Sequence, residues 1–479
     1  MAQRKGGLAS GKGISRRTVL TLMGSTAVAG GALLRNARAG QTRSSTESSS
    51  DRPEVRVAYL RPKEKYWLGW PGTSWDPDLF MQKSRTLVEQ YATENEVRVS
   101  FEPQPLYDAS AAGQFITRLK AEKPGGVVLF PLHMERWPQI EAIAKSGTPT
   151  VIFAGLGTTF TGHIQNISRM PGVYLASTAD FELKPVRFGL KMIRTAHKVR
   201  DTKIAVLRGD ETREQTLEPF GLKLLYLPRR RFPETLKTIE NLPQVLAVAA
   251  EYRGAAQKIV EPSEQDLINA ARNYVASLRI MEEEGCKGIT MDCLGLVKDR
   301  QIPCPPCMAW SKLLDAGIPA ICEADINAVM SHTLCCQLLD KPGFQQDPVP
   351  ETVSNTFIGA HCVSPTRLDG YDKPRAPFVL RSHAESNLGV SLQVLWEPGR
   401  TVTIMQFVGP GKIILGKGKV LRNFDTPPAG GCRTSVELEI DAPADTRDTK
   451  GFHQLFIYGD HMRDFQAYGQ MFGIATEHI

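Results

Sequence analysis

One short segment, Ile321-Cys322-Glu323-Ala324-Asp325-Ile326-Asn327, carries an apolar strand straight into two acids. In an extended chain residues i and i+2 share a face, so Glu323 and Asp325 are expected to converge. They stand at the carboxyl end of an expected parallel strand, where open α/β sheets bind ligands. They also precede a helix, whose N-terminus favours anions. Asp325 reads equally well as the N-cap of that helix.

Other residues could join a site. His361 and His383 each follow an expected strand, and histidine serves both as a ligand and as a buried structural residue. His383 opens a polar turn, Ala384-Glu385-Ser386-Asn387, suited to sugar hydroxyls. Trp67, Trp70 and Trp75 cluster after the first strand. Their faces can stack on a sugar ring, or pack a loop against the domain or a subunit interface. Cys304-Pro-Pro-Cys307 has the spacing of a redox couple or of half a zinc site, and no second pair of similar spacing accompanies it. All nine cysteines lie between Cys286 and Cys432, and an odd number leaves at least one without an intramolecular partner. Gly409-Pro-Gly-Lys412 and Gly416-Lys-Gly-Lys419 lack the strand–loop–helix setting of a phosphate loop and read as hairpin turns. Arg229-Arg230-Arg231 reads as a solvated basic run.

Alternating apolar strands and amphipathic helices must position these groups. Strands are expected at 55–60, 97–101, 126–130 and 148–153, with helices at 80–93, 110–121 and 135–145 between them. This βαβα order implies a doubly wound parallel sheet. A second block repeats it, with strands at 173–176, 203–207, 288–291 and 319–322. Its helices are expected at 181–197, 263–284, 306–316 and 326–339. After Pro342 the period drops to two, as in Val436, Leu438 and Ile440, which predicts an antiparallel barrel or sandwich closed by a helix at 462–472. The expected fold is α/β, with two doubly wound Rossmann-like domains (53–172 and 173–342) followed by a β-rich domain (343–479).

The N-terminus reads as an export signal. Ser15-Arg16-Arg17-Thr18-Val19-Leu20 supplies a twin-arginine pair, a short Gly/Ala-rich apolar stretch follows, and Ala37-Arg38-Ala39 resembles a cleavage site. Residues 1–39 are therefore expected to be removed on export through the Tat translocase to the periplasm, with 40–52 as a disordered linker. The formal net charge is +7, and those 39 residues hold seven bases and no acid. The remainder is near neutral, which excludes general attraction to phosphate backbones and sets nucleic acid aside as a partner.

The segment PCMAWSKLLDAGIPAICEAD, ending at Asp325, resembles the L-fucose isomerase family and its relatives with a similar C-terminal domain, including L-arabinose isomerase-like proteins. Further pieces agree in order: INAVMSHTLCCQLL; NTFIGAHCVSP at 355–365; HAESNLGVSLQVLWEPG at 383–399; and FHQLFIYGD at 452–460. The resemblance implies an aldose–ketose isomerase acting on a small sugar with a divalent metal, manganese by preference, assembled as a homo-oligomer. It implies Asp325 and His453 as metal ligands, with Glu323 as a ligand or supporting residue and Asp325 and Glu323 as catalytic acids. His383, His361, Trp70 and Trp75 would contact sugar. One departure is plain: the family's further acid has no counterpart in Gln301–Cys307, which contains no carboxylate. A non-catalytic periplasmic-type sugar-binding protein is the alternative reading.

Overall fold

The computed structural model describes residues 52–66, 68–70, 73–179, 181–240, 242–425 and 431–479. The expected signal and most of the linker therefore lie outside the described residues. Alternation along the first strand, Glu54–Leu60, shows how the first region is built. Val55, Val57 and Tyr59 join one core cluster while Ala58 and Leu60 join another. A strand buried on both faces needs helices on both sides of its sheet. Here Pro77–Glu94 and Lys184–Arg200 cover one face, and Ala109–Glu122 and Trp137–Ala144 the other. The all-parallel sheet runs in the order 98–101, 54–60, 126–131, 150–155, 173–178.

The last of these strands differs from expectation. Val173–Thr178 pairs in parallel with Thr150–Gly155 of the first sheet and does not open the second block. Strand periodicity names a face, not a partner, so the sequence left its sheet undecided. The helix Lys184–Arg200 then packs back on the first sheet: a Cβ on Gly189 would lie 2.6 Å from Val151.

The second sheet runs 320–322, 288–291, 203–207, 222–227 in parallel, with Arg213–Leu217 antiparallel at its edge. Its longest helix, Glu264–Glu283, is opened by Ser263, whose hydroxyl accepts from the Asp266 N–H while the Asp266 carboxylate accepts from the Ser263 N–H. That reciprocal cap satisfies two otherwise orphaned donors. The two α/β regions are followed by a β-rich region that contains a closed six-stranded antiparallel barrel. Its order is 401–407, 454–458, 344–351, 356–361, 434–440, 412–423, and the first and last strands pair to close it. Closure removes the exposed edges that an open antiparallel sheet would carry.

Gly409–Lys412 turns the closing hairpin as expected, Phe407 pairing with Ile413. Gly416–Lys419 does not turn: it lies inside the strand Lys412–Asn423, where Gly416 makes room for Ile479 and Gly418 for the carbonyl of Glu439. The arginine run is also not simply solvated. Arg229 bridges Asp292 and Asp299, and Arg231 reaches Glu283 and Glu284.

The barrel's residues enter two cores. Phe344, Phe357 and Phe456 pack with Trp310 of the second region, whereas Phe407 and Leu455 pack with Leu190 and the helix Ile326–Leu339. That helix is buried nearly all round, which explains its continuous apolar sequence.

Candidate metal and ligand site

The strand Ala320–Cys322 ends abruptly. Glu323 and Ala324 both adopt positive φ, 64° and 54°, a conformation side chains with a Cβ seldom take. The expected extended geometry therefore fails, and Glu323 and Asp325 do not share a strand face. The bend instead places them on opposite nitrogens of one imidazole. Asp325 Oδ2 lies 2.8 Å from His453 Nδ1, and Glu323 Oε2 lies 3.6 Å from His453 Nε2.

Asp325 is fully engaged by the protein. Its Oδ1 accepts from the Ala328 N–H at 2.9 Å, making it the N-cap of Ile326–Leu339, and its Oδ2 accepts from His453. Burial alone would raise its pKa; the His453 contact and the capping N–H groups outweigh that and hold it below the usual carboxylate range. Asp325 thus has protein partners on both oxygens, the Ala328 N–H and the His453 imidazole. It orients the imidazole, as a carboxylate behind a metal-binding histidine does.

His453 itself sits at φ 58°, immediately before the barrel strand Gln454–Tyr458, and is almost fully buried. Burial would lower its pKa, but the Asp325 and Asp347 carboxylates prevail and push it up to about 9. Asp347 was missed by sequence reasoning. It stands mid-strand in Phe344–Glu351, and its Oδ1 lies 3.2 Å from His453 Nε2. That Oδ1 and that Nε2 are both buried and face each other as an ion pair that falls short of good hydrogen-bond geometry. A ring nitrogen and a carboxylate oxygen facing one spot are the donor types a divalent cation takes.

His361, at the end of the barrel strand Thr356–His361, completes the set. Its Nε2 is 3.9 Å from Glu323 Oε1, and its ring centroid is 5.6 Å from that of His453. Glu323, His361 and His453 each offer one ligand atom, and these atoms lie within 4.8 Å of one another. Nitrogen and oxygen donors at this spacing can hold a divalent ion. His361, expected to contact sugar, is therefore placed among the possible ligands.

A second missed residue is His332. It is wholly buried on Ile326–Leu339, both ring nitrogens lack partners, and burial together with nearby His361 lowers its pKa to about 3. It is a neutral imidazole walling the site from behind.

His383 belongs to a neighbouring group. Its Nδ1 meets Ser386 Oγ at 2.9 Å. Trp70 and Trp75 lie on a hairpin, Leu68–Trp70 with Thr73–Trp75, but their side chains and all of Trp67 fall outside the described residues. Every cysteine is free, and the Cys304 sulfur accepts from the Asn273 side-chain amide at 3.5 Å.

No protein-family model matches this chain, and no curated protein matches it. Among solved structures it is similar to an ABC-transporter solute-binding protein from Burkholderia multivorans, at 11% identity over 52% of this chain and 85% of that one, TM-score 0.19. It is also similar to a periplasmic solute-binding protein from Actinobacillus succinogenes with bound D-allose, at 10% identity over 53% and 84%, TM-score 0.19. A third is a solute-binding protein from Agrobacterium vitis bound with α-D-tagatopyranose, at 12% identity over 55% and 88%, TM-score 0.18. These neighbours are binding proteins of transport systems, not fucose or arabinose isomerases. The expected family membership, isomerase activity and isomerase description are corrected on this finding. The homo-oligomer rested on the same resemblance and loses that support. TM-scores this low carry no argument about what this chain binds. Among the described residues, no helix is long and apolar enough to cross a membrane.

Proposed function

We propose that this chain is an exported, non-catalytic binding protein that takes a small carbohydrate at a divalent-metal site. The observation that carries the reading is the convergence of Glu323, His361 and His453, with Asp347 Oδ1 3.2 Å from His453 Nε2.

His453 and His361 would hold the ion through nitrogen, and Glu323 and Asp347 through oxygen; Asp325 fixes the His453 ring. When bound, a divalent ion supplies a positive centre that vicinal sugar hydroxyls can ligate. Two imidazoles and two carboxylates suit manganese, the ion to try first, and zinc also. The half-exposed side chains of Glu323 and Asp347 leave this side of the site open to solvent, whereas the histidines close its floor. Passage through the Tat translocase to the periplasm rests on the twin-arginine segment, and contact of Trp70, Trp75 and His383 with the sugar rests on their place in the sequence.

The test is isothermal titration of the purified chain with aldohexoses and ketohexoses, before and after chelator treatment and manganese reloading. The reading expects sugar heat only with metal present. Sugar binding indifferent to chelator, or no sugar binding in either state, contradicts it.

A further inference from the structure

Phe452 leaves 56% of its surface in water, directly beside the candidate site. Its ring centroid lies 4.3 Å from that of His453, with 33° between the planes, so the ring leans on the imidazole and still faces solvent. A phenylalanine this exposed adds little to stability, because little of its apolar area leaves water. Its backbone is nevertheless held from both sides. The buried side chain of Gln406 accepts from the Phe452 N–H at 3.0 Å and donates to the Phe452 carbonyl. Two residues away in each direction, Gln454 Nε2 donates to the Lys450 carbonyl at 2.5 Å. The neighbours Gly451 and His453 both take positive φ, 95° and 58°. A Cβ on Gly451 would lie 2.2 Å from Gln406 Oε1, so only glycine lets the amide close on this strap. Left-handed, over-determined backbone of this kind gathers where a ligand is clamped.

We propose that Phe452 is the apolar platform of the sugar site, and that the ligand is a pyranose with cis vicinal hydroxyls for the ion and a run of C–H groups for this ring. The ligand half of this rests on the sugar and metal reading above. Glu323 and Asp347 approach Nε2 of the same imidazole against which Phe452 leans. A sugar whose hydroxyls are held there has Phe452 as its apolar neighbour. Few polar groups fix its orientation, and an aromatic face takes its C–H side. The face of a phenyl ring is the negative part of its quadrupole and attracts the weakly positive hydrogens of C–H groups. Galactose meets both requirements: O3 and O4 are cis, and the hydrogens on C3, C4 and C5 lie on one face. Glucose, inverted at C4 alone, meets neither.

The experiment titrates D-galactose, with D-glucose for comparison, into the full manganese-loaded chain and into Phe452→Ala, Phe452→Leu and Phe452→Trp. Manganese affinity is measured first for each. It should stay within about twofold of the parent, since Phe452 offers no ligand atom. Galactose should bind at least about tenfold more weakly to Phe452→Ala and Phe452→Leu, and within about threefold of the parent to Phe452→Trp. The parent should hold glucose at least about tenfold more weakly than galactose. Manganese and galactose affinities that fall together in Phe452→Ala make Phe452 a support for His453 and overturn the platform. Full galactose affinity in Phe452→Leu also overturns it, because bulk then suffices. Manganese-dependent galactose binding equal in the parent and Phe452→Ala overturns the platform and leaves the metal reading standing. Galactose binding that needs no manganese, is lost in Phe452→Ala and returns in Phe452→Trp upholds the platform and contradicts the metal reading. A parent that binds no galactose, or binds glucose as tightly, overturns the proposal.

Discussion

His453 Nδ1 meets Asp325 Oδ2 at 2.8 Å across 128 residues of chain, joining the barrel to the second α/β sheet. The contact decides the role of each residue. Asp325 already caps a helix and holds the imidazole, while the far nitrogen of that imidazole faces Glu323 and Asp347. Asp325→Asn keeps a capping oxygen. It is therefore expected to lower manganese affinity by about 10–100-fold without abolishing it. Glu323→Gln and His453→Ala are expected to abolish binding. Equal loss in all three would make Asp325 a direct ligand.

Much of the frame was legible in the sequence, because strand and helix periods are local. The helices Ile326–Leu339 and Met462–Phe472 fall where the apolar spacing puts them, and the two-residue period after Pro342 does become a barrel. Glu323 and His453, both legible in the sequence, do stand side by side, but the extended chain expected between Glu323 and Asp325 is replaced by two left-handed residues. Asp347 lies in the polar stretch Gln345-Gln346-Asp347-Pro348, where nothing local marks one acid as facing a histidine 106 positions later. Its role follows from barrel register: it pairs with Ala360, beside His361. His332 was hidden by its own helix, whose all-round burial makes a histidine look like one more core position.

Asp315 ties the helix Cys307–Asp315 to the segment after the barrel's second strand. It is buried and accepts from the N–H groups of Thr366 at 2.7 Å and Arg367 at 2.9 Å, and from the Thr366 hydroxyl. Asp315→Ala strands those donors without water, a loss of about 2–4 kcal/mol. Urea unfolding should show a lower midpoint with an unchanged slope; a midpoint equal to the parent's would contradict the contact.

Glu251 accepts from Lys312 at 2.7 Å and also from Arg375. Burial alone would raise its pKa, but the two cations outweigh it and the net shift is downward. A depressed folded-state pKa contributes stability above the unfolded value, near 4.3, that is lost as the pH falls through the folded one. Glu251→Gln should therefore be less stable than the parent at pH 7, with the gap closing below about pH 4. Added salt should narrow it at neutral pH, because the carboxylate is half-exposed. A gap that widened in acid would reverse the sign.

Gly359 is required by close packing in the barrel: a Cβ there would lie 2.4 Å from the Phe456 ring and 2.9 Å from the Gln346 side chain. Gly359→Ala is expected to cost about 1–3 kcal/mol. Thermal unfolding that leaves Tm unmoved would show the barrel interior to be looser than described.

The most direct measurement of the central claim is an anomalous-difference map from crystals of the chain soaked in manganese, collected where that ion scatters anomalously. The account predicts one strong peak bounded by Glu323, His361 and His453, with Asp347 alongside and Asp325 touching only the imidazole. A map without a peak there, or with the ion bonded to Asp325 in place of Glu323, would contradict it.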